Sequence, residues 1–187
     1  MRYVSIDIET TGLDPDRHQV LEVGAVYDNG SALDDLPVFR CLIQHDTIVG
    51  DISALIMNAE LLAEINTYRL DRAYSRWIGG THSWICKPTR FRHLFKDWLD
   101  ELKVVKPVLA GKNVARFDLP FLERLGFVPH HRRILDPAVL YIKSTDIVPP
   151  NLATCLERAG LPNEVTHRAV DDAMQVVRVL RGRMYAR

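Results

Sequence analysis

Residues 3–13 read Tyr-Val-Ser-Ile-Asp-Ile-Glu-Thr-Thr-Gly-Leu, and this stretch decides the fold. Apolar side chains recur at every second position from Val4 to Ile8, and a period of two predicts a β-strand. Asp7 and Glu9 lie two residues apart, so their carboxylates leave the same face of that strand. Two like charges this close destabilise each other unless a cation lies between them. The alternative is an exposed strand end on which water solvates both carboxylates.

The rest of the chain carries the signals of a mixed sheet. Strands are predicted over residues 2–8, 19–27, 37–43, 107–111 and 134–136, and helices over 53–65, 91–102, 118–125, 152–158 and 168–181. Three strands in succession predict an antiparallel meander, and the later alternation of helix and strand predicts parallel strands. We therefore predict an α/β fold with a mixed five-stranded sheet, three antiparallel strands followed by parallel strands, and helices on both faces.

Length and composition fit one domain over residues 1–187. The chain has 187 residues, of which 47% are hydrophobic and 26% are charged, as is usual for a globular protein. No run approaches the roughly 18 apolar residues of a membrane-spanning helix, and the N-terminus has no apolar signal-peptide segment. The three cysteines lie far apart and form no metal-binding pattern, so we expect small buried thiols in a cytoplasmic protein without a membrane partner.

The charges are unevenly distributed along the chain. Residues 1–65 contain 3 basic and 12 acidic residues, a net charge of −9, and residues 66–187 contain 21 and 12, a net charge of +9. An acidic site facing a basic rim suits a metal-dependent enzyme that acts on phosphate chains. Chance clustering of solvated charges is the alternative.

Two further acidic positions follow later in the sequence. Asp118 comes shortly after the predicted buried strand 107–111, where it could also be the N-cap of the next helix. His167 and Asp172 lie at the start of the last predicted helix. There His167 could be an ordinary surface histidine, and Asp172 could be an acid in a first turn that favours negative charge. Each position is weak alone, but four carboxylates meeting at one end of the sheet could hold two divalent cations, which prefer hard oxygen ligands. Such a pair of cations activates water for phosphoryl displacement, and a histidine can take the proton.

Three segments, in this order, resemble the motifs of the DEDD (DnaQ-like) 3′–5′ exonucleases. Residues 7–13 are similar to the first motif and residues 113–122 to the second. Residues 167–173 are similar to the third motif in its histidine form, DEDDh, because no tyrosine stands shortly before Asp172. The resemblance spans about residues 3–180, and three ordered motifs make it specific.

The resemblance implies a ribonuclease-H-like fold and a two-metal site. It implies that two Mg²⁺ or Mn²⁺ ions are ligated by Asp7, Glu9, Asp118 and Asp172, and that His167 removes a proton. The family spacing from the histidine selects Asp172 and not its neighbour Asp171. The positions that match substrate-binding or site-supporting residues of relatives are Thr10, Thr11, Leu13, Asn113 and Phe117. Asn113 lies five residues before Asp118, whereas some proofreading members have four, which leaves the role of Asn113 open.

Residues 66–90 match nothing in the family pattern and form a basic, aromatic insertion. Its aromatic and basic residues are Tyr68, Arg69, Arg72, Tyr74, Arg76, Trp77, Trp84, Lys87 and Arg90. Basic side chains interleaved with aromatic rings suit single-stranded nucleic acid, and Arg72, Arg76 and Trp77 are the substrate-binding candidates. The alternative is that Trp77 and Trp84 anchor a small satellite core.

These features predict a metal-dependent 3′–5′ exonuclease that releases 5′-mononucleotides from the 3′ ends of single-stranded nucleic acid. The sequence leaves DNA and RNA both open as substrates, because that choice depends on a few groups at the 2′ position. Two alternatives remain: a proofreading or accessory subunit that acts with a polymerase, and a catalytically silent nucleic-acid-binding module of the same fold. A homodimer is also left open.

Overall fold

The computed structural model describes residues 1–68, 70, 75–79, 82–127, 130–163 and 166–184. Its strands are β1 (Tyr3–Thr10), β2 (Val20–Asp28), β3 (Val38–Ile43), β4 (Ser75–Trp77), β5 (Ser83–Cys86), β6 (Leu109–Ala110) and β7 (Ile134–Leu135). Its helices are α1 (Ile52–Met57), α2 (Ala59–Thr67), α3 (Pro88–Glu101), α4 (Asp118–Arg124), α5 (Ala138–Tyr141), α6 (Leu152–Arg158) and α7 (Ala169–Met184), and a 3₁₀ turn covers Leu33–Asp35.

The strands form one mixed sheet in the order β4-β5-β3-β2-β1-β6-β7. β1, β2 and β3 pair antiparallel as the predicted meander, and β6 and β7 add in parallel on the other side of β1. The α/β class and the mixed sheet are therefore confirmed. The prediction of five strands was too low, because the described part of residues 66–90 forms the short antiparallel pair β4 and β5, and β5 extends the sheet beside β3. Their seven residues are too few to show a clear period.

Helices cover both faces of the sheet, as predicted. On one face, α3 and α4 pack against alternate residues of β1 and β3, with Phe39 in edge contact with Phe95 at 5.2 Å between ring centroids. On the other face, α7 packs against Tyr3 and Val26, and α2 packs against Leu42. Asp7 and Glu9 have the strand parity of Tyr3, so they point to the face that α7 covers.

Two helix predictions differ from the structure. The predicted helix over 53–65 is divided into α1 and α2 at Asn58, whose side-chain amide donates to the carbonyl of Thr10 at 3.2 Å. Asp118 is the first residue of α4 and not its N-cap, which is Phe117. Asn151 caps α6, since its side-chain oxygen accepts the backbone N–H of Thr154 at 2.8 Å.

Within the described residues, the structure contains no helix with the length and apolar character needed to cross a membrane.

Candidate active site

The first two carboxylates sit where β1 extends beyond its short neighbour β6. On β1, β6 pairs with Val4 and Ser5 alone, so among the described strands the later residues of β1 have no hydrogen-bonded partner on that side. Asp7 is half-buried, and Glu9 is buried with 8% of its surface exposed. The sheet therefore presents two carboxylates side by side beneath α7, and the alternative of a solvated strand end is wrong for Glu9.

Asp118 reaches this edge from α4. The side chain is 3% exposed, and the nearby backbone N–H of Ile8 favours its charged form and so opposes the rise in pKa that burial causes. The turn that leads into α4 is fixed by Asn113, whose carbonyl accepts the amides of Arg116 and Phe117. The loop after β6 thus brings a third carboxylate to Asp7 and Glu9.

The N-terminal end of α7 supplies the remaining two candidates. Asp172 lies in its first turn and is 6% exposed, whereas its neighbour Asp171 is exposed and bonds to the Thr166 hydroxyl at 3.1 Å. His167 is exposed and precedes the helix. Ligand atoms of Glu9, His167 and Asp172 lie within 4.8 Å of one another, so the structure brings the first and third sequence motifs together.

Burial and mutual repulsion set the electrostatics of this cluster. Burial raises the pKa of Glu9 to about 7, and the charges of Asp172 and Glu22 act in the same direction. Burial also raises the pKa of Asp118 to about 7. The pKa of Asp7 is well above its usual range, first because of burial and then because of the charge of Asp118. Burial likewise raises the pKa of Asp172.

This donor set fits divalent cations. Four carboxylates with raised pKa values form an acidic cluster that bound cations would neutralise, and such clusters are the sites at which hard metal ions bind. Glu9, His167 and Asp172 are already close enough to share one ion, and Asp7 and Asp118 lie beside them. The residues present therefore match the oxygen-rich ligand set of a Mg²⁺ or Mn²⁺ site.

A cavity of about 350 Å³ opens next to Glu9. Its lining is mainly apolar and includes Thr10, Leu13, Met57 and Phe117. The Leu13 side chain is 78% exposed. Three of the predicted substrate-binding residues, Thr10, Leu13 and Phe117, therefore line one cavity beside the carboxylates.

Thr11 and Asn113 have different surroundings from those three. Thr11 is fully buried; its hydroxyl donates to the backbone carbonyl of Val49 at 2.6 Å and accepts the backbone N–H of Gln19 at 2.9 Å. These bonds hold the backbone of Thr11 in place between Thr10 and Gly12, which line the cavity. Asn113 is exposed, with a φ of 59°, and its backbone N–H donates to the Asp136 carboxylate at 2.9 Å. Its contacts therefore shape the turn before α4.

The insertion candidates lie at the far edge of the sheet. Arg76 and Trp77 are on β4, where Trp77 is 57% exposed and the Arg76 guanidinium is 6.0 Å from the centroid of the Tyr68 ring. Trp84 on β5 packs against the main core, so Trp77 and Trp84 do not together anchor a satellite core, which the alternative predicted. β4 is four strands from β1, roughly 19 Å at about 4.8 Å per strand. Arg72 lies outside the described residues.

Sequence reasoning overlooked Glu22 and Asn58. Glu22 is directly opposite Glu9 in the β1–β2 register and is 1% exposed, and Asn58 is 4% exposed beside Thr10. An acidic residue within the apolar run Val20–Val26 was the available signal for Glu22, because charged residues are rarely fully buried unless they are paired. Asn58 gave no comparable signal.

The structure has the fold of known nucleases. E. coli exonuclease I bound to single-stranded DNA matches 98% of this chain with a TM-score of 0.63 at 15% sequence identity. The catalytic unit of Neurospora crassa Pan2, with its protease and nuclease domain, matches 97% with a TM-score of 0.60 at 11% identity. This chain spans only 41% of the exonuclease I chain and 27% of the Pan2 chain. No protein-family model and no curated protein matches the sequence.

Proposed function

We propose that this protein is a metal-dependent 3′–5′ exonuclease that removes 5′-mononucleotides from single-stranded DNA or RNA. One observation carries the proposal: carboxylates from β1, α4 and α7 converge with His167 at one edge of a sheet whose fold is shared with nucleases. β1 ends more than 100 residues before α4 begins, and α4 ends more than 40 residues before α7 begins. No packing requirement explains why four acids should meet there.

The metal-binding role is assigned to Asp7, Glu9, Asp118 and Asp172. Two divalent cations held there would activate the attacking water and stabilise the leaving oxygen of an in-line phosphodiester cleavage. Asp7 and Glu9 lie on β1 inside the sheet, and Asp118 is buried, so the ligand oxygens need little reorganisation on binding. Depletion of divalent cations should therefore abolish cleavage.

His167 is proposed as the general base. Its ring is within 4.8 Å of both Glu9 and Asp172 and stays open to solvent, so it can accept a proton from a water beside the carboxylates and release it to bulk. A histidine ligand to the metal is the competing role, and metal titration separates the two.

The 350 Å³ cavity is proposed to hold the 3′-terminal nucleotide. It is within the roughly 300–1,000 Å³ range of ligand pockets, and Glu9 forms part of its wall. Leu13 and Phe117 would contact the apolar faces of the base and sugar, which places the terminal phosphodiester next to the carboxylates. Thr11 does not line the cavity, but its hydrogen bonds to Val49 and Gln19 hold the neighbouring residues of the wall in place.

Arg76 and Trp77 are proposed to contact nucleotides upstream of the terminal one. Their distance of roughly 19 Å from β1 spans several nucleotides of an extended strand, so they are too far away to take part in cleavage. A cation and an exposed indole offer phosphate contact and base stacking, which are tolerant of sequence.

The deciding experiment follows the polarity and chemistry of degradation. Purified protein is incubated with Mg²⁺ or Mn²⁺ and with matched single-stranded DNA and RNA oligonucleotides, each labelled at the 5′ end, with or without a 3′-terminal block. A ladder that shortens from the 3′ end, with release of 5′-mononucleotides, is expected, and chelator or a 3′ block should stop it. Degradation that persists in excess chelator would contradict the two-metal assignment.

Two variants distinguish catalysis from binding. Asp7→Asn should bind the oligonucleotide and cleave nothing, because it removes a proposed ligand without changing the cavity. Binding without cleavage by the unaltered protein, in every divalent cation tried, would favour the silent module. Cleavage that appears only after a polymerase is added would favour the accessory subunit.

We place this activity in the cytoplasm. Cys41, Cys86 and Cys155 are buried free thiols, and Cys41 and Cys86 are 3.4 Å apart without a disulfide between them. Buried unpaired thiols are ordinary in a reducing compartment.

A further inference from the structure

The proposed base, His167, has an unfavourable backbone conformation. His167 has a φ of 53°, in the left-handed region that non-glycine residues rarely adopt. Such a conformation persists where the surrounding contacts hold it in place. The contacts of residues 166–169 must therefore hold the backbone of His167 in this conformation.

Two carboxylates hold the residues that follow His167. The Glu22 carboxylate accepts the backbone N–H of Ala169 at 3.0 Å, and the Glu64 carboxylate accepts a hydrogen bond from the Arg168 guanidinium at 2.8 Å. Glu22 belongs to β2 and Glu64 to α2, so both anchors lie on elements packed in the core. The two residues that follow His167 are therefore held in place, Ala169 through its backbone N–H and Arg168 through its side chain.

Arg40 joins the two anchors. Its Nε donates to Glu22 at 2.6 Å, and its two terminal nitrogens donate to both oxygens of Glu64 at 2.8 and 2.9 Å. The bidentate geometry fixes the orientation of the Glu64 carboxylate that receives Arg168. The resulting series, which we call the α7 clamp, is Glu22–Arg40–Glu64–Arg168.

Stability alone is a poor reason for this arrangement. Only Glu22 of the four side chains is fully buried. Ion pairs often add little net stability, because solvent screens the exposed ones and desolvation offsets the attraction in the buried ones. Binding of a phosphate group does not explain the four charged residues either. The cavity of about 430 Å³ beside the clamp is lined by three carboxylates, Glu22, Glu64 and Asp171, and only two guanidinium groups, both already paired.

We propose that the α7 clamp is a positioning device for the proposed base: Arg40, Glu64 and Arg168 act with Glu22 to keep the His167 ring beside Glu9 and Asp172. This inference rests on the proposed exonuclease activity. The clamp residues do not touch substrate; they act through His167. Removing the Glu64 or Arg168 side chain should displace the ring and lower turnover, while Glu22 still holds the first turn of α7 and the proposed metal ligands keep their positions.

The test is a double-mutant cycle between the clamp and the base. Arg168→Met and Glu64→Gln keep most of the side-chain volume, and each should lower kcat by roughly 10- to 100-fold with KM and Mn²⁺ affinity unchanged, since small misplacements of a reacting group have effects of this order. In a His167→Ala background, the same substitutions should cause almost no further loss, because the group they position is gone. Arg168→Lys, which retains the charge, should recover part of the turnover.

A matched control is Arg158→Met. Arg158 forms a half-buried bidentate pair with Asp146 in another part of the fold, and its loss should leave kcat unchanged. Equal losses of kcat with and without His167 would overturn the inference, as would a rise in KM with constant kcat, which would make Arg168 a phosphate contact.

Hydrogen exchange provides a readout that does not require activity. The Ala169 amide, which donates to Glu22, should exchange faster in Arg168→Met and Glu64→Gln than in the parent and the Arg158→Met control. Unchanged exchange would overturn the clamp even if the protein had no nuclease activity. If the parent has no nuclease activity but the Ala169 amide exchanges faster in the variants, the proposed function is refuted, whereas the clamp as a structural device is supported.

Discussion

The Glu22 carboxylate accepts the backbone N–H of Ala169 at 3.0 Å, although the two residues are 147 positions apart in the sequence. This bond seats the first turn of α7 directly on β2. Gly24, two residues further along β2, makes the close approach possible, because a Cβ at this position would lie 2.3 Å from the backbone of Ala169 and Val170. The position of the third motif relative to the first is therefore set by β2.

Gly24→Ala should destabilise the protein by about 1–3 kcal/mol or more, the usual range for overpacking, because backbone atoms of α7 must move to admit the methyl group. It should also lower activity, since α7 carries Asp172. Urea unfolding measures the first effect. Gly182→Ala is the control: among the described residues its Cβ would meet only the Tyr141 hydroxyl at 3.7 Å. Because alanine is the better helix former, this substitution within α7 should raise the free energy of unfolding by up to about 1 kcal/mol. Equal free energies of unfolding for both variants would contradict this account of Gly24.

Asp172→Asn should lower kcat by at least about 100-fold, beyond the 10- to 100-fold typical of residues that merely support a metal ligand. The reason is that Asp172 is buried in the carboxylate cluster. The neighbouring Asp171 is exposed and bonds to Thr166, so Asp171→Asn should retain most of the activity. Turnover at saturating Mg²⁺ measures both. The reverse ranking of the two variants would show that the wrong aspartate had been chosen.

Stability of the metal-free protein should fall as the pH rises from about 4.5 to about 7. Glu9 has its pKa raised from 4.5 to about 7, so the folded state binds this proton more tightly than the unfolded state does. Its contribution to stability is therefore complete below about pH 4.5 and is lost as the pH rises through about 7. Urea unfolding in chelator at a series of pH values measures the slope.

Glu9→Gln provides the comparison for that pH slope. The glutamine does not titrate, so the part of the pH dependence that Glu9 causes should be missing. Above pH 7, saturating Mg²⁺ should stabilise the parent more than the variant, because binding to the folded state adds to stability. Identical pH slopes in the two proteins would show that Glu9 is not the titrating group.

His167→Ala should reduce kcat by roughly 10²–10⁴-fold, the usual contribution of a positioned general base. Mn²⁺ affinity, measured by calorimetry on the same protein, should stay near that of the parent. A loss of affinity as large as that of Asp172→Asn would make His167 a ligand, and nearly normal turnover would make it an ordinary surface histidine.

Replacing Arg76 and Trp77 by alanine should raise KM for long oligonucleotides while leaving kcat nearly unchanged, because both residues lie far from β1. One lost phosphate contact should also reduce the slope of log affinity against log salt by about 0.7. Arg132→Ala, an exposed arginine near the opposite edge of the sheet, is the control. If KM does not change with oligonucleotide length or salt, β4 has only a structural role.

Local patterns in the sequence were sufficient for the elements with many buried residues. The alternation in β1 predicted its strand and the common face of Asp7 and Glu9, and the apolar stripe around Phe91 and Phe95 predicted α3. β4, β5 and α5 are only three or four residues long, too short for a period to be visible. The break between α1 and α2 also escaped prediction, because it depends on a bond from Asn58 to the carbonyl of Thr10, 48 residues away.

The sequence by itself determined which residue types are available for chemistry: the paired carboxylates of β1, and Asp118, His167 and Asp172 in ordered motifs. Only the tertiary structure decided that Glu9, His167 and Asp172 come within 4.8 Å of one another and that Glu22 and Glu64 hold the chain beside His167. Periodicity reports the side chains of one strand or helix relative to its own axis. Distances between strands and helices depend on how closely they pack, and here that spacing is set by contacts such as the one between Gly24 and Ala169, whose partners lie far apart in the chain.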